Sequence, residues 1–140
     1  MTLFLPLLIM KVIIIPTFFM SRQKEVILGV LRAQRFHPTA DEILLRARQR
    51  MPALALGTVY RNLKALCDEK KIRRIPMEDA PDRYDGFVEP HDHLVCTVCG
   101  KVYDVPPLQS KEALEAKLAT RVDGYELKVY FTCPKCQAKN

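Results

Sequence analysis

The sequence predicts an α+β fold with an N-terminal winged helix-turn-helix domain and a small C-terminal α/β domain. Three observations support this prediction: amphipathic helical segments followed by two short strands, a basic surplus confined to the first half, and two C-x2-C pairs in the second half. The 140 residues suffice for one ordinary domain or two small ones. A small domain often needs a metal ion for stability, because it buries little apolar surface.

Residues 1–20 form a strongly apolar segment that is interrupted by Pro6, Lys11 and Pro16. No basic region precedes it and no small-residue cleavage site follows, so neither a transmembrane helix nor a signal peptide is expected. Two explanations remain open: that translation starts at Met20, or that the segment packs on the body of the protein or on a partner chain.

Two helices are predicted between residues 21 and 50. Ser21 is a suitable N-cap for the first, which extends to about residue 34. Pro38 then ends it, because the residue before a proline favours an extended backbone. Thr39 and Glu42 form a capping box for the second helix. The apolar positions on the inner faces of these helices are Val26, Ile27, Val30, Leu31, Ile43, Leu44 and Ala47.

A third helix over residues 56–70 is predicted to enter the DNA major groove. Its inner positions are Val59, Leu63 and Leu66, and strands near residues 72–76 and 83–88 complete a winged helix over residues 21–88. The residues on the opposite face, which are predicted to contact DNA, are Thr58, Tyr60, Arg61 and Lys64. An amphipathic helix with an ordinary solvated face is the alternative.

The charge distribution favours a nucleic-acid partner for the first half. Residues 21–78 contain 13 Lys and Arg against 6 Asp and Glu, whereas residues 79–140 contain 8 against 10. The net charges of these two segments are therefore +7 and −2, within a chain of net charge +6. A basic module that meets phosphates, joined to a module with another task, has this pattern.

The second half is predicted to be a dimerisation domain over residues 94–140, joined to the first half by a hinge over residues 89–93. Strands are expected at residues 94–97, 101–105 and 126–132, with a helix at residues 109–120 whose apolar positions include Leu114 and Leu118. One helix on three strands is a thin domain. A second copy would cover its apolar surface, so a symmetric homodimer is expected.

The two C-x2-C pairs predict one structural zinc site. Four thiolates are the tetrahedral donor set that Zn2+ favours, and Gly100 suits the tight turn after the first pair. The four ligands are Cys96, Cys99, Cys133 and Cys136. Paired thiols at zinc spacing favour a reducing cytoplasm over an oxidising compartment. The fifth cysteine, Cys67, lies among helical apolar positions and is interpreted as a core residue.

A second, harder metal site is possible beside the first C-x2-C pair. His91 and His93 are spaced so that both rings lie on one face of a strand, and Asp104 follows on the next strand. Two of the three histidines of the chain lie in this motif. A pair of strand residues without a ligand role remains the alternative.

These residues resemble the ferric uptake regulator (Fur) family, and most closely its peroxide-sensing, PerR-like branch. The resemblance covers residues 22–136, and its markers are residues 37–43, 57–63, 83–85 and 91–101. It implies a dimeric, metal-dependent transcriptional repressor that binds a double-stranded DNA operator. It also implies that the four cysteines hold zinc and that a regulatory site for Fe2+ or Mn2+ is formed by His37, Asp85, His91, His93 and Asp104. Such nitrogen and oxygen donors suit these ions. The resemblance to the PerR-like branch also implies that peroxide is the signal.

Three departures from the family pattern concern different sites. Residues 1–20 replace the usual first helix and its basic residues. Ala55 stands where a serine often caps the third helix, a loss of about 0.5 to 2 kcal/mol. Residues 124–133 are shorter than usual and lack the His and Glu of a further metal site, so no third site is expected.

Other functions remain open for this sequence. Asp104, where iron-responsive members tend to carry Glu, favours a peroxide sensor over an iron-, zinc- or manganese-uptake regulator on the same scaffold. His and carboxylate ligands could also serve a non-haem iron oxygenase or a metal hydrolase. No acid, base or substrate motif accompanies them, so no catalytic residue is assigned and an enzyme is not expected. A zinc-ribbon interaction protein is a third possibility.

Overall fold

A computed structural model describes residues 20–33 and 35–139 of the chain. The chain divides into two compact units, Met1–Phe87 and Val88–Asn140. The apolar N-terminal segment, residues 1–20, lies outside the described residues, apart from Met20. Among the described residues, no helix has the length and apolar character needed to span a membrane.

The first unit contains the helices α1 (Arg22–Arg32), α2 (Ala40–Ala47) and α3 (Leu56–Asp68). Ser21 caps α1 by accepting a hydrogen bond from the Lys24 amide, as predicted. The capping box of α2 is present, with the Thr39 and Glu42 side chains each accepting from the other's backbone amide. α3 begins after Ala55 without a side-chain cap. The local sequence therefore determines the start of the first two helices.

The core of the first unit consists of the apolar faces of its three helices. The predicted inward positions of α2 and α3 are buried. On α1 the prediction differs in one turn, because Leu28 is buried whereas Val30 is only partly buried. α1 contacts both other helices, so its buried stripe is wider than a single i, i+4 pattern suggests.

A short antiparallel hairpin completes the first unit. Its strands are β1 (Arg73–Ile75) and β2 (Arg83–Asp85), and Tyr84 packs into the helical core. The Tyr84 amide donates to the carbonyl of Pro38, and the Arg83 guanidinium donates to the carbonyl of His37. The hairpin thus anchors the loop between α1 and α2, and the winged helix-turn-helix prediction is confirmed.

The second unit contains β3 (Asp92–Cys96), β4 (Val102–Val105), α4 (Lys111–Leu118), β5 (Lys128–Phe131) and α5 (Pro134–Gln137). The strand order is β4-β3-β5, with β3 antiparallel to β4 and parallel to β5. Asp92 and His93, which we assigned to the hinge, are the first two residues of β3. They belong to the sheet because each pairs with a residue of β4.

The predicted helix α4 is present, with no buried residue, and Leu118 is 61% exposed. An apolar helical stripe is buried only where another element covers it, and in the described part of this single chain no element covers Leu118.

Gly86, which follows β2, provides a test of packing in the first unit. A Cβ at this position would lie 2.6 Å from the carbonyl oxygen of Leu31, a backbone atom that cannot move without disturbing α1. We expect Gly86→Ala to lower the free energy of unfolding by about 1 to 3 kcal/mol in chemical denaturation. Gly29→Ala is the matched control, because Gly29 lies within α1 and its added methyl group meets no atom within 4 Å. This control should be neutral or should stabilise the protein by up to about 1 kcal/mol. Equal stability of the two variants would contradict the packing argument.

Candidate metal centres

The four predicted zinc ligands lie together in the second unit. Their sulfur atoms are all within 4.8 Å of one another. Cys96 ends β3, Cys133 caps α5 and Cys136 lies within α5, whereas Cys99 lies in the turn between β3 and β4. Gly100 closes that turn with a φ of +74°, a backbone conformation that glycine adopts without strain. The parallel pairing of β3 with β5 brings the two cysteine pairs to the same end of the sheet.

The sulfur geometry fits zinc. Tetrahedral Zn2+ with bonds of about 2.3 Å to thiolates holds its sulfurs about 3.8 Å apart. Cys99 Sγ and Cys133 Sγ are 3.8 Å apart. Cys96, Cys133 and Cys136 are buried and Cys99 is exposed, so the site is closed on one side and reachable on the other.

Backbone amides stabilise one of these sulfurs as a thiolate. Cys96 Sγ accepts hydrogen bonds from the amides of Cys99 (3.5 Å) and Cys133 (3.3 Å). These two bonds are the main reason that the pKa of Cys96 falls to about 6. Because the thiolate is the form that binds a metal, the fold prepares Cys96 as a ligand.

A second group of metal-ligand side chains lies at the start of the same sheet. His93 pairs with Asp104 across β3 and β4. His91 Nε2 and His93 Nε2 are 3.1 Å apart, and each is 3.4 Å from Asp104 Oδ1. Two ring nitrogens and a carboxylate oxygen thus lie within 3.4 Å of one another.

The tautomer of His91 follows from its neighbour. His91 Nδ1 lies 2.7 Å from the carbonyl oxygen of Glu89. Because a carbonyl oxygen can only accept, Nδ1 carries the hydrogen and Nε2 keeps its lone pair when the ring is neutral. A backbone acceptor that fixes the ring in this way is common for histidines that bind metals.

In the first unit, His37 and Asp85 form a close pair. His37 Nε2 is 3.7 Å from Asp85 Oδ2, and the Asp85 carboxylate is 1% exposed. Asp85 Oδ1 accepts a hydrogen bond from the amide of Phe87 (2.9 Å). The hairpin contacts to the His37 carbonyl and to Pro38 hold the imidazole beside β2. A buried carboxylate beside an imidazole is a second candidate pair of metal ligands.

Sequence reasoning missed two residues near these groups. Asp92 is 4% exposed, and its Oδ2 accepts a hydrogen bond from the amide of Leu108 (2.7 Å), which ties the segment after β4 to β3. Tyr103 packs against the cysteine cluster together with Phe131. Because successive side chains of a strand point to opposite faces of the sheet, the sequence could have placed Asp92 on the face opposite to the histidines. Nothing in the residue spacing indicates a tyrosine beside the sulfurs.

The predicted DNA-contacting residues lie on the outer face of α3. Tyr60, Arg61 and Lys64 are exposed, and Thr58 is half-buried. Thr58 Oγ1 accepts a hydrogen bond from Arg61 Nη2 (3.1 Å), which orients the guanidinium along the helix. Cys67, on the same helix, packs against the core, and burial raises the pKa of its thiol.

Comparison with known proteins gives matches that extend over both units. The model of the ferric uptake regulator family matches residues 18–130. The peroxide-responsive repressor PerR of Staphylococcus saprophyticus is 32% identical over 120 residues, which are 84% of this chain and 81% of that protein. The structure of a Campylobacter jejuni peroxide stress regulator matches with a TM-score of 0.73 at 30% identity, over 81% of this chain and 88% of the other. The ferric uptake regulator Fur of Helicobacter pylori, described as having three functional metal-binding sites, matches with a TM-score of 0.76 at 26% identity, over 85% and 82%.

Replacing one of the four clustered cysteines tests whether zinc stabilises the second unit. We expect Cys133→Ser to lose bound zinc and the folded second unit together, because the free energy of zinc binding at such sites, about 10 to 16 kcal/mol, exceeds the stability of a small domain. Zinc content and circular dichroism of the purified proteins provide the measurement. Cys67→Ser, which changes a cysteine outside the cluster, should keep zinc. A folded, zinc-free Cys133→Ser protein would show that the cluster is not a structural metal site.

Proposed function

The chain belongs to the ferric uptake regulator family, and from this membership we propose that it is a metal-dependent transcriptional repressor that binds operator DNA as a homodimer and is released by peroxide. The observation that carries the proposal is the group of His91, His93 and Asp104, whose donor atoms converge in a chain that also has a winged helix. The proteins it resembles include peroxide-responsive repressors, and repression by a bound metal is not an enzymatic activity.

Zinc at the four cysteines has a structural role in this proposal. The four cysteines would fill all four coordination positions of the ion, so no position would be open for a substrate or for water. An ion held there would join the end of β3 to the segment after β5. We place the protein in the cytoplasm, where a reducing environment keeps these thiols available for zinc.

The regulatory ion is proposed to be Fe2+ or Mn2+. The proposed ligands are His37, Asp85, His91, His93 and Asp104, a set of nitrogen and oxygen donors without a thiolate. Such donors suit Fe2+ and Mn2+ better than they suit ions that prefer sulfur. An ion bound by this set would act as a corepressor by favouring the DNA-binding state of the protein.

Peroxide is proposed to act at the imidazole ligands. Bound Fe2+ would supply the redox chemistry that activates peroxide, which Mn2+ would do less readily, and the two electrons that peroxide takes up would come in net from the imidazole ring. A ring C–H of His37 or His91 then becomes C–OH, and the second peroxide oxygen leaves as water. The oxidised ring is a weaker donor than imidazole, so the site loses affinity for its ion and the operator is released.

DNA binding is assigned to α3, and dimer formation to the second unit. Tyr60, Arg61 and Lys64 are exposed on α3 and can reach bases and phosphates in the major groove. In the second unit, Leu118, Tyr130 and Leu108 are large exposed apolar side chains, and a second copy of the chain would cover them.

A metal-uptake regulator is the second candidate function. It is favoured by the similarity to the Helicobacter pylori regulator, which is as extensive as the similarity to the peroxide stress regulator. The two candidates share the scaffold and differ in the signal. Exposure to peroxide therefore distinguishes them.

The role of α3 can be tested with Arg61→Ala. We expect weaker operator binding, and a dependence of log affinity on log salt whose slope becomes shallower by about 0.9 for each DNA phosphate that the variant no longer neutralises. Fluorescence anisotropy with labelled operator DNA at several salt concentrations measures both quantities. Lys117→Ala, which removes an exposed positive charge from α4, is the control and should leave both unchanged. Unaltered operator affinity of Arg61→Ala would remove α3 from the recognition role.

The response to peroxide can be tested by mass spectrometry. Fe2+-loaded protein given about one equivalent of peroxide should gain one oxygen on a peptide that contains His37 or His91, and it should lose operator binding. Mn2+-loaded protein is the control and should keep both its mass and its affinity. If instead both forms lose DNA binding only after the zinc cysteines are oxidised, the histidine mechanism is wrong. If operator binding depends on metal but not on peroxide, the protein is a metal-uptake regulator.

A further inference from the structure

The start of α3 lacks the local features that usually fix where a helix begins. Its N-cap is Ala55, whose side chain makes no hydrogen bond, and no acidic residue lies in its first turn. A serine at the N-cap would accept from a free backbone amide, and an acidic residue would interact favourably with the helix dipole. Gly57, in the same turn, favours a helix less than most residues do. The start of α3 therefore depends on a contact from outside its first turn.

Arg48 supplies such a contact from the end of α2. It is the C-cap of α2, and its Nε donates a hydrogen bond to the carbonyl oxygen of Leu54 (3.0 Å), the residue before the N-cap of α3. The Leu54 side chain is buried in the core of the first unit, and the Leu54 amide donates to the carbonyl of Met51. The side chain, amide and carbonyl of Leu54 are thus all held, and Arg48 holds the carbonyl.

This hydrogen bond acts on the peptide group that joins Leu54 to Ala55. Because a peptide group is planar, fixing its carbonyl also fixes its N–H, which restricts the rotation of the chain at Ala55. Ala55 has the extended backbone of an N-cap (φ −100°, ψ 152°), and its carbonyl accepts from the amides of Thr58 and Val59 in the first turn of α3. A capping serine would stabilise the same junction through its own side chain. Arg48 therefore acts where a side-chain cap is missing.

We propose that Arg48 is a positioning residue for DNA recognition, which replaces the missing N-cap of α3 and fixes the direction in which that helix leaves the turn after α2. The inference rests on the proposal that α3 contacts operator DNA. Base contacts require side chains held at a defined distance from the base edges, whereas attraction to phosphates carries no sequence information. Loss of the hydrogen bond should therefore weaken binding to the operator more than binding to unrelated DNA.

Three substitutions separate the hydrogen bond of Arg48 from its charge. Arg48→Ala removes both. Arg48→Gln removes the charge but keeps an N–H donor in the same place, because Nε2 of glutamine and Nε of arginine both follow Cδ. Arg46→Ala is the matched control: it removes one positive charge from the same helix, where the Arg46 guanidinium lies over the ring of Phe36, with Cζ 4.3 Å from the ring centroid.

Fluorescence anisotropy on the full-length protein loaded with Zn2+ and Mn2+ measures the effect on two duplexes, an operator selected from a random DNA library and a shuffled duplex of the same composition. We expect Arg48→Ala to bind the operator about 10-fold more weakly than Arg46→Ala does, which is the effect of losing one hydrogen bond from a charged donor. Both variants should bind the shuffled duplex equally. Arg48→Gln should match Arg46→Ala on both duplexes. Adding Ala55→Ser to Arg48→Ala should restore most of the operator affinity, because serine supplies the missing cap.

Amide hydrogen exchange tests the same contact without DNA. The amides of Thr58 and Val59 bond to the Ala55 carbonyl, so a loosened start of α3 exposes them. They should exchange about 10-fold faster in Arg48→Ala, at the wild-type rate in Arg48→Gln, and close to that rate when Ala55→Ser is added to Arg48→Ala. The amides of α1 should be unchanged in all variants, whereas a general loss of stability would make them exchange faster too.

The outcomes distinguish this inference from the proposed function. Equal operator affinity and equal exchange rates in Arg48→Ala and Arg46→Ala would overturn the role of Arg48 and leave α3 as the recognition helix. A loss in Arg48→Gln as large as in Arg48→Ala, or an equal loss on the shuffled duplex, would make Arg48 a phosphate contact and would also overturn the inference. If selection yields no operator and Arg61→Ala has no effect on DNA binding, the proposed function fails, and the exchange rates decide the role of Arg48 at the start of α3.

Discussion

The parallel pairing of β3 with β5 is the contact on which the second unit depends. It joins Cys96 to Phe131 in register and so brings two cysteine pairs together from distant parts of the chain. The buried cluster at that end of the sheet consists of Cys96, Cys133 and Cys136, with Tyr103 and Phe131 packed against it. Where a larger domain would have leucine and isoleucine, this end of the sheet has cysteines whose sulfur atoms are close enough to hold one metal ion. An ion bound there would couple the stability of the unit to metal binding.

The first unit is stabilised differently. Its buried cluster is a conventional set of aliphatic side chains from three helices, and it includes Ile27, Leu31, Ile43 and Leu63, which are fully buried. Because this core requires no metal, the residues at its surface can be used for other purposes. The outer face of α3 is exposed, as the proposed contact with DNA requires, and the hairpin holds Asp85 beside His37. Metal could thus regulate this unit without being needed to fold it.

The sequence predicted those features that depend on local rules. Ser21, Thr39 and Glu42 mark helix starts because a cap is a contact between near neighbours, and the cysteine spacing indicates a metal because two thiols in one turn have few other uses. The features that the sequence did not predict concern residues whose surroundings come from elsewhere in the chain. Leu118 matches an amphipathic pattern, but periodicity does not reveal whether another element covers it. Tyr103 meets the sulfurs only because β4 and β5 flank the same strand, a relation that no local pattern contains.

The pairing of β3 with β5 also has a consequence for the order in which the protein forms during synthesis. The first unit is complete once residue 87 has been made. The second unit cannot close its sheet until β5 exists, and its four cysteines cannot come together until Cys136 follows. Contacts between distant residues form slowly, and domains made earlier fold earlier. A nascent chain would therefore carry a folded first unit before its second unit exists, and a metal bound by the four cysteines would act on the last step of maturation.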